Sequence, residues 1–545
     1  MITSRMRLGP RQMQQYVRSI HSPPSAQPWD YAAAITALNS IQTNFAIIDA
    51  IRKSGRGMNK QAIPEFIEWL RKAGYKPSDF ERLRPIHISG TKGKGSTSAF
   101  VSSILNQYLP KAATDPRLPK KIGLYTSPHL RFVRERIQIN DEFISEEQFT
   151  KYLFQVWDRL EAAEKASPSP PGVRTKPVYF RYLTLVGLNT FMNEGVDTAV
   201  IECGVGGEYD STNILTRPTV SAITSLGIDH TGVLGKTLSE IAWHKGGIFK
   251  KGVPAFTSPQ KEEALAVLRE RAAEKGTTVE VVDIHPALAN DEIKLALSAG
   301  YQKINASLAI VAAATHLRSI GYTDVQDPRE TKNIDLPPEF VRGLQQCKWP
   351  GRCDIRREKN VAWFLDGGHT LESIEVTGRW FAEQISASKT SWAAGESKTP
   401  RILVFNQQTR DAIALSRALY DALQCGVTAG AEPPFTHVIF TTNKTFVSGG
   451  YSPDLISINA NAEDVDSLVV QNALAETWSE IDPTANVQVF RTIEESLDAA
   501  RGIARDWVAG IDDKDAEVMA LVTGSLHLVG GAIDVLETGR SAGTP

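Results

Sequence analysis

Across residues 31–84 apolar side chains recur every three or four positions. Ala34, Leu38 and Ile41 share one face, then Ile47, Ile48 and Ile51, then Phe66, Ile67 and Leu70. That spacing predicts three helices ahead of the first core strand. The strand itself is the short β-prone run 85–88, and a glycine-rich turn leads from it to Phe100, Val101, Ile104, Leu105 and Tyr108, again at helical spacing. Strand-length apolar runs at 122–125, 199–201 and 220–224 alternate with helix-patterned segments. Alternation of this kind predicts an α/β fold, a parallel sheet with helices on both faces. The polar stretches 107–121 and 166–176 are expected as surface insertions without chemistry.

A second αβ series begins near Trp349-Pro350-Gly351, with strands predicted at 361–365, 402–405, 437–441, 487–490 and 518–523 and an exposed loop at 386–400. The boundary falls near residues 335–350, and no internal repeat is present. The expected division is therefore 1–29, 30–345 and 346–545: a leader, a larger parallel-sheet domain and a smaller Rossmann-like domain.

Composition narrows the class of protein. With 545 residues, 42% hydrophobic and 22% charged, the chain is a globular protein of two or three domains. A net charge of −2 gives no global basic field, so nucleic acid is not an expected partner. Cys203, Cys347, Cys353 and Cys425 form no C-x-x-C pair, which predicts unpaired thiols in a reducing compartment. No apolar run approaches the roughly 20 residues of a membrane helix. Residues 1–29 carry Arg5, Arg7, Arg11 and Arg18, several serines and no acidic residue, the composition of a mitochondrial transit peptide. Pro10 interrupts the amphipathic helix such a peptide uses.

The candidate chemistry starts in the glycine turn, Gly90-Thr91-Lys92-Gly93-Lys94-Gly95-Ser96-Thr97. A strand-to-helix turn of this composition suits a triphosphate. Glycines let backbone N–H groups close on phosphate oxygens, the helix N-terminus adds partial positive charge, Lys94 reaches the terminal phosphates, and Ser96 or Thr97 offers a hydroxyl. It departs from the general phosphate-loop pattern at Ile88 and by Gly95 between Lys94 and Ser96. In open parallel sheets ligands gather beyond the carboxyl ends of strands. There stand Ser127, Glu202 and His230, a hydroxyl, a carboxylate and an imidazole suited to one or two Mg²⁺ ions beside the phosphates.

Together these segments resemble the folylpolyglutamate synthase family of eukaryotic type, within the Mur ligases, which are ATP-dependent amide-bond formers. The likeness rests on residues 90–97, 123–130 with Glu135-Arg136-Ile137, 202–207, 226–230 and 241–248. It extends to Leu38-Asn39, Gln42-Thr43-Asn44, 366–370 and 523–527. It implies a P-loop ATPase domain followed by a Rossmann-like domain on the glutamate side of the cleft, with ATP and Mg²⁺ required and K⁺ a candidate activator. Ser127, Glu202 and His230 become the metal ligands, and Arg352, Asp366, Gln302 and Asn305 the further nucleotide contacts. His369, beside Asp366, is a candidate for binding or orienting glutamate, its alternative being a structural turn histidine. Lys245 matches a lysine carbamylated in bacterial relatives, although His244 replaces the acidic residue that precedes it there. Asp141 stands where the family often has Gly, and Tyr301 where it often has His.

The implied reaction phosphorylates the γ-carboxylate of a reduced folate and lets the amine of L-glutamate displace phosphate. The expected protein is monomeric, mitochondrial (matrix or inner-membrane associated) and cytoplasmic. Rival readings are a dihydrofolate synthase, another Mur-type amide ligase, or a nucleotide-binding regulator without turnover. A hinge near 335–350 would let the two domains close on the acyl phosphate.

Overall fold

The computed structural model describes residues 29–42, 60–170, 174–330, 335–388, 399–408, 411–426, 433–448, 454, 467–513 and 515–541. The apolar cluster at 47–51, the Thr43-Asn44 motif, the arginine-rich start up to residue 28 and most of the 386–400 stretch lie outside them.

Eight strands form the first sheet: β1 (Ile86–Ser89), β2 (Ile122–Tyr125), β3 (Ile137–Ile139), β4 (Glu142–Phe143), β5 (Thr198–Glu202), β6 (Val220–Ile223), β7 (Ala255–Thr257) and β8 (Val279–Val281), in the order β4-β3-β2-β5-β1-β6-β7-β8. Pairing is parallel throughout except at the β2–β3 and β3–β4 edge. The four central strands are buried along their whole length, which is why they read as continuous apolar runs rather than alternating ones.

The longer helices are α1 (Tyr31–Ser40), α2 (Ala62–Lys72), α3 (Lys94–Asn106), α4 (Glu146–Ala166), α5 (Tyr179–Glu194), α6 (Leu238–Gly246), α7 (Glu262–Lys275), α8 (Gln302–Ser319) and α9 (Pro338–Gln346). Phe100 and Ile104 of α3, Leu308 of α8 and Phe340 of α9 pack on Ile88 and Val200. Leu38, Phe66, Phe149 and Leu183, from α1, α2, α4 and α5, cover Ala199 and Ile201 on the opposite face.

The second sheet holds β9 (Asp354–Glu358), β10 (Val361–Leu365), β11 (Arg401–Phe405), β12 (His437–Phe440), β13 (Asn486–Val489) and β14 (Val518–Thr523), ordered β13-β12-β11-β14-β10-β9. Only β9 runs antiparallel. Its faces are covered by α10 (Leu371–Ala387), α11 (Ala412–Gly426) and α12 (Val469–Ile481) through Trp380, Leu419 and Trp478, and by α13 (Ile493–Ala509) and α14 (Leu526–Ser541) through Leu497 and Ile533.

Several local expectations change. Ile67 does not share the buried face of Phe66 and Leu70; it is 38% exposed while they are fully covered. The 107–121 stretch is anchored rather than superficial, because Tyr108 and Leu118 enter the first core. Residues 338–346, expected within a hinge, form α9. It lies so close on α3 that a Cβ at Gly343 would stand 2.5 Å from the Ile104 Cα. The chain therefore crosses between sheets over 347–353. Asn140 and Asp141, with φ of 53° and 63°, make the tight turn between β3 and β4, a conformation that Asn and Asp tolerate, so glycine is dispensable there. All four cysteines are free thiols. Among the described residues no helix is long and apolar enough to cross a membrane.

Candidate active site

β1 delivers the chain into the glycine turn, and the turn is pinned before α3 begins. Thr91 and Lys92 both donate their backbone N–H to Ser225 O, at 3.1 and 3.0 Å, and Ser89 Oγ donates to Gly206 O at 2.6 Å. Gly90 (φ 147°) and Gly93 (φ 87°) occupy backbone positions that exclude a side chain. An added Cβ would stand 1.8 Å from Thr224 Oγ1 in one case and 2.1 Å from Asn305 Oδ1 in the other. Lys94 is the first residue of α3, so its amine and the free N–H groups of the helix start converge on one place.

Opposite stands Glu202, at the end of β5. Its Oε2 accepts from the Ser127 N–H at 2.9 Å and its Oε1 lies 4.0 Å from Lys94 Nζ. Burial pushes this carboxyl up to about 7, against the pull of Lys94. His230, at φ 53°, opens a one-turn helix (Thr231–Leu234) on the same side, held by Asp229 Oδ1 on its N–H. Lys92 Nζ lies 3.3 Å from Asp229 Oδ2 and donates to Thr370 Oγ1 at 2.9 Å, joining the loop to the second sheet's layer. Asn305 donates to Gln302 Oε1, and Gln302 donates to Ser96 Oγ at 3.2 Å, so both brace the loop from α8.

The second half of the chain closes the other wall. Asp366 takes the N–H of Cys353 on Oδ2, and Gly368 N–H and Thr377 Oγ1 on Oδ1, which ties the 351–368 corner together. Arg352 packs on Gly367, where a Cβ would meet its Nη1 at 2.6 Å. His369 Nδ1 lies 2.8 Å from Gly367 O; a carbonyl only accepts, so Nδ1 carries the proton in the neutral ring. Tyr301 and Cys353 join the two halves at 3.1 Å between hydroxyl and thiol.

All of this encloses one cavity of about 780 Å³. Thr91, Lys92, Gly93, Lys94, Gly95, Ser96, Ser127, Glu202, His230, Asn305, Arg352, Asp366 and His369 line it. Gly90, Thr97, Gln302 and Lys245 do not; each sits one step behind. Lys245 is buried under the loop with Nζ donating to Gly90 O at 2.6 Å, and burial, then Lys94, lowers its pKa to about 7. Of the two hydroxyl candidates, Ser96 faces the cavity and Thr97 is wholly buried.

Three lining residues carry roles that sequence reasoning left unassigned. Phe180 forms an apolar wall so tight against Gly204 that a Cβ there would lie 2.1 Å from its ring. Arg136 is 7% exposed and donates from Nε to His129 Nδ1 at 3.0 Å. Among the described residues no carboxylate pairs with its guanidinium. His129 is held neutral by burial and by Arg136. The Glu135-Arg136-Ile137 motif marked the segment, but only burial reveals that the arginine is an unmatched charge inside a cavity.

No protein-family model matches the chain. Among curated proteins, the folylpolyglutamate synthase of Neurospora crassa is 44% identical over 512 residues, covering 93% of this chain and 91% of that protein. That of Saccharomyces cerevisiae is 44% identical over 511 residues, covering 93% and 87%. Among solved structures, the Mycobacterium tuberculosis folylpolyglutamate synthase complexed with ADP superposes with a TM-score of 0.64 at 20% identity, over 93% of this chain and 99% of that one. The apo form of L. casei FPGS gives 0.62 at 22%, over 94% and 100%. These structures share the fold, two α/β layers about a cleft. With the fungal relatives matched across almost their whole length, the chain belongs to the folylpolyglutamate synthase family.

Proposed function

We propose that the protein is an ATP- and Mg²⁺-dependent ligase that adds L-glutamate, through γ-linked amide bonds, to reduced folates. The observation that carries this reading is the single cavity in which a phosphate loop, with Lys94 and Glu202 4.0 Å apart, faces Arg352, Asp366 and His369 from the other half of the chain. Relatives named folylpolyglutamate synthase, and a structural neighbour described as an FPGS-AMPPCP-folate complex, support the choice of substrates.

In the first step an oxygen of the folate γ-carboxylate attacks the γ-phosphorus of ATP, a P–O bond to ADP breaks, and an acyl phosphate forms. Lys94 and Arg352 offset charge on the transferring group, a task of positioning and electrostatics. Arg136 takes a substrate carboxylate, since a buried guanidinium without a counter-ion is costly and an anionic ligand relieves it. In the second step the glutamate amine, having lost its proton, attacks the acyl carbon and phosphate leaves. His369, oriented by the bond from Nδ1 to Gly367 O, lines the cavity where the incoming amino acid is held.

A hard cation fits the donor set on the cavity wall. Ser127, Glu202 and His230 all line it, and the buried Glu202 carboxylate accepts the Ser127 N–H with the Lys94 ammonium 4.0 Å away. Few protein ligands are what Mg²⁺ ordinarily takes. When bound, it supplies charge neutralisation at the phosphate oxygens.

A monomer in mitochondria and cytoplasm completes the proposal, the compartment resting on the arginine-rich residues ahead of Trp29. The test is ADP release by purified protein. Continuous release is expected only with tetrahydrofolate and L-glutamate together, with the product gaining glutamates one at a time and dihydropteroate failing in folate's place. ADP release indifferent to folate would overturn the reading.

A further inference from the structure

The loop between β2 and β3 is held from the second half of the chain at two points: Arg131 pairs with Asp534 and Glu537, and the stretch from His129 to Val133 docks on Asp454. Its Oδ1 accepts from Tyr31 Oη at 2.5 Å and from the Val133 N–H at 2.8 Å, and its backbone carbonyl lies 3.0 Å from His129 Nε2. A carbonyl only accepts, so Nε2 carries the imidazole proton in this arrangement. Nδ1 is then bare and accepts from Arg136 Nε at 3.0 Å. Turning the tautomer round would set two N–H donors against each other at the arginine and leave the Asp454 carbonyl facing a lone pair. The imidazole stands on the cavity wall with both ring nitrogens committed, so each partner holds the tautomer the other requires.

We propose that Asp454 is a positioning residue: by docking on Tyr31 and Val133 it fixes the His129 tautomer and thereby aims Arg136 at the substrate carboxylate. The anion site is then complete only when the two halves of the chain are docked. This rests on the reading above, in which Arg136 takes a carboxylate of the folate.

The chain carries its own control. In Asp454→Asn the side-chain oxygen still accepts from Tyr31 and Val133, whereas Asp454→Ala releases the carbonyl from its anchor. Steady-state kinetics of the full chain are measured with tetrahydrofolate and ATP varied separately, beside a thermal unfolding curve. Asp454→Ala is expected to raise the folate KM about tenfold with the ATP KM unchanged, an effect the size of one misdirected charged hydrogen bond. Asp454→Asn should restore the folate KM. Joining Asp454→Ala to His129→Phe should be no worse than His129→Phe alone, since both act through one arginine. Should the alanine variant not fold, Tyr31→Phe, which deletes a single hydroxyl, is expected to shift the folate KM alone by a smaller factor.

A folate KM in Asp454→Ala or, failing that, Tyr31→Phe within about twofold of the parent, or an ATP KM rising in step, overturns the proposal. An Arg136→Ala variant with unchanged folate KM would instead sink the assignment of Arg136 on which the proposal stands.

Discussion

Lys94 Nζ and Glu202 Oε1 face each other at 4.0 Å, with side chains 16% and 4% exposed. Neither charge has bulk water to fall back on, so the pair acts as a unit toward whatever anion enters. A unit charge at this distance is worth on the order of 4 kcal/mol at an effective dielectric of 20, roughly a thousandfold in rate. Lys94→Met is therefore expected to lower kcat by about that factor, and Glu202→Gln to lower it with ATP still bound. The double variant should lose much less than the product of the two losses. Single-turnover ADP formation at saturating ATP checks this. Strictly multiplicative losses would mean the two side chains act independently.

Gly93 and Gly195 separate loop geometry from ordinary strain. Both have positive φ, 87° and 72°, but a Cβ at Gly93 runs into Asn305 while nothing lies within 4 Å at Gly195. Each Gly→Ala change is expected to cost about 1 kcal/mol of stability. Only Gly93→Ala should also weaken ATP binding, because moving Asn305 disturbs its bond to Gln302 and through it Ser96. Calorimetric titration of both variants with ATP distinguishes them.

How much of this was readable beforehand follows from burial. The glycine turn and the strand ends with Ser127, Glu202 and His230 announce themselves through glycines and apolar runs, because the central strands are covered on both faces. β9 was not legible: as an edge strand of partly exposed Asp354, Arg356, Arg357 and Glu358 it lacks apolar alternation. Arg136 reads in sequence as part of a motif without an assigned role, and Lys245 as the match to a carbamylated lysine. Only the packing around them shows that both are enclosed, and that Lys245 lies behind the loop rather than in the cavity.

Lys245 gives a pH signature. Its folded pKa falls to about 7 through burial, whereas an unfolded lysine titrates near about 10.4. Between those values the unfolded chain holds a proton that the folded chain does not, so stability rises with pH across that window. The stability of Lys245→Met relative to the parent should therefore be highest near neutrality and fall toward pH of about 9.5, as urea unfolding at both pH values would show. Turnover of the variant should drop, since the loop loses its anchor at Gly90 O. A carbamate on Lys245, visible as added mass under bicarbonate, would abolish the trend.

Trp29 marks where the fold begins among the described residues: its ring lies edge-on to Phe154 with centroids 3.7 Å apart. Removing the residues ahead of it should leave ligase activity intact and shift the protein out of mitochondria in a fractionation experiment. Import of the shortened chain would remove the case for a transit peptide.

The most direct test follows the oxygen atoms. Folate carrying ¹⁸O in both γ-carboxylate oxygens is supplied with ATP and L-glutamate, and the released phosphate is analysed by mass. If the carboxylate attacks the γ-phosphorus and the amine then displaces phosphate, each phosphate carries one ¹⁸O and the new amide retains the other. Phosphate without label would show that no acyl phosphate forms, and would contradict the mechanism assigned to Lys94, Glu202 and the loop between them.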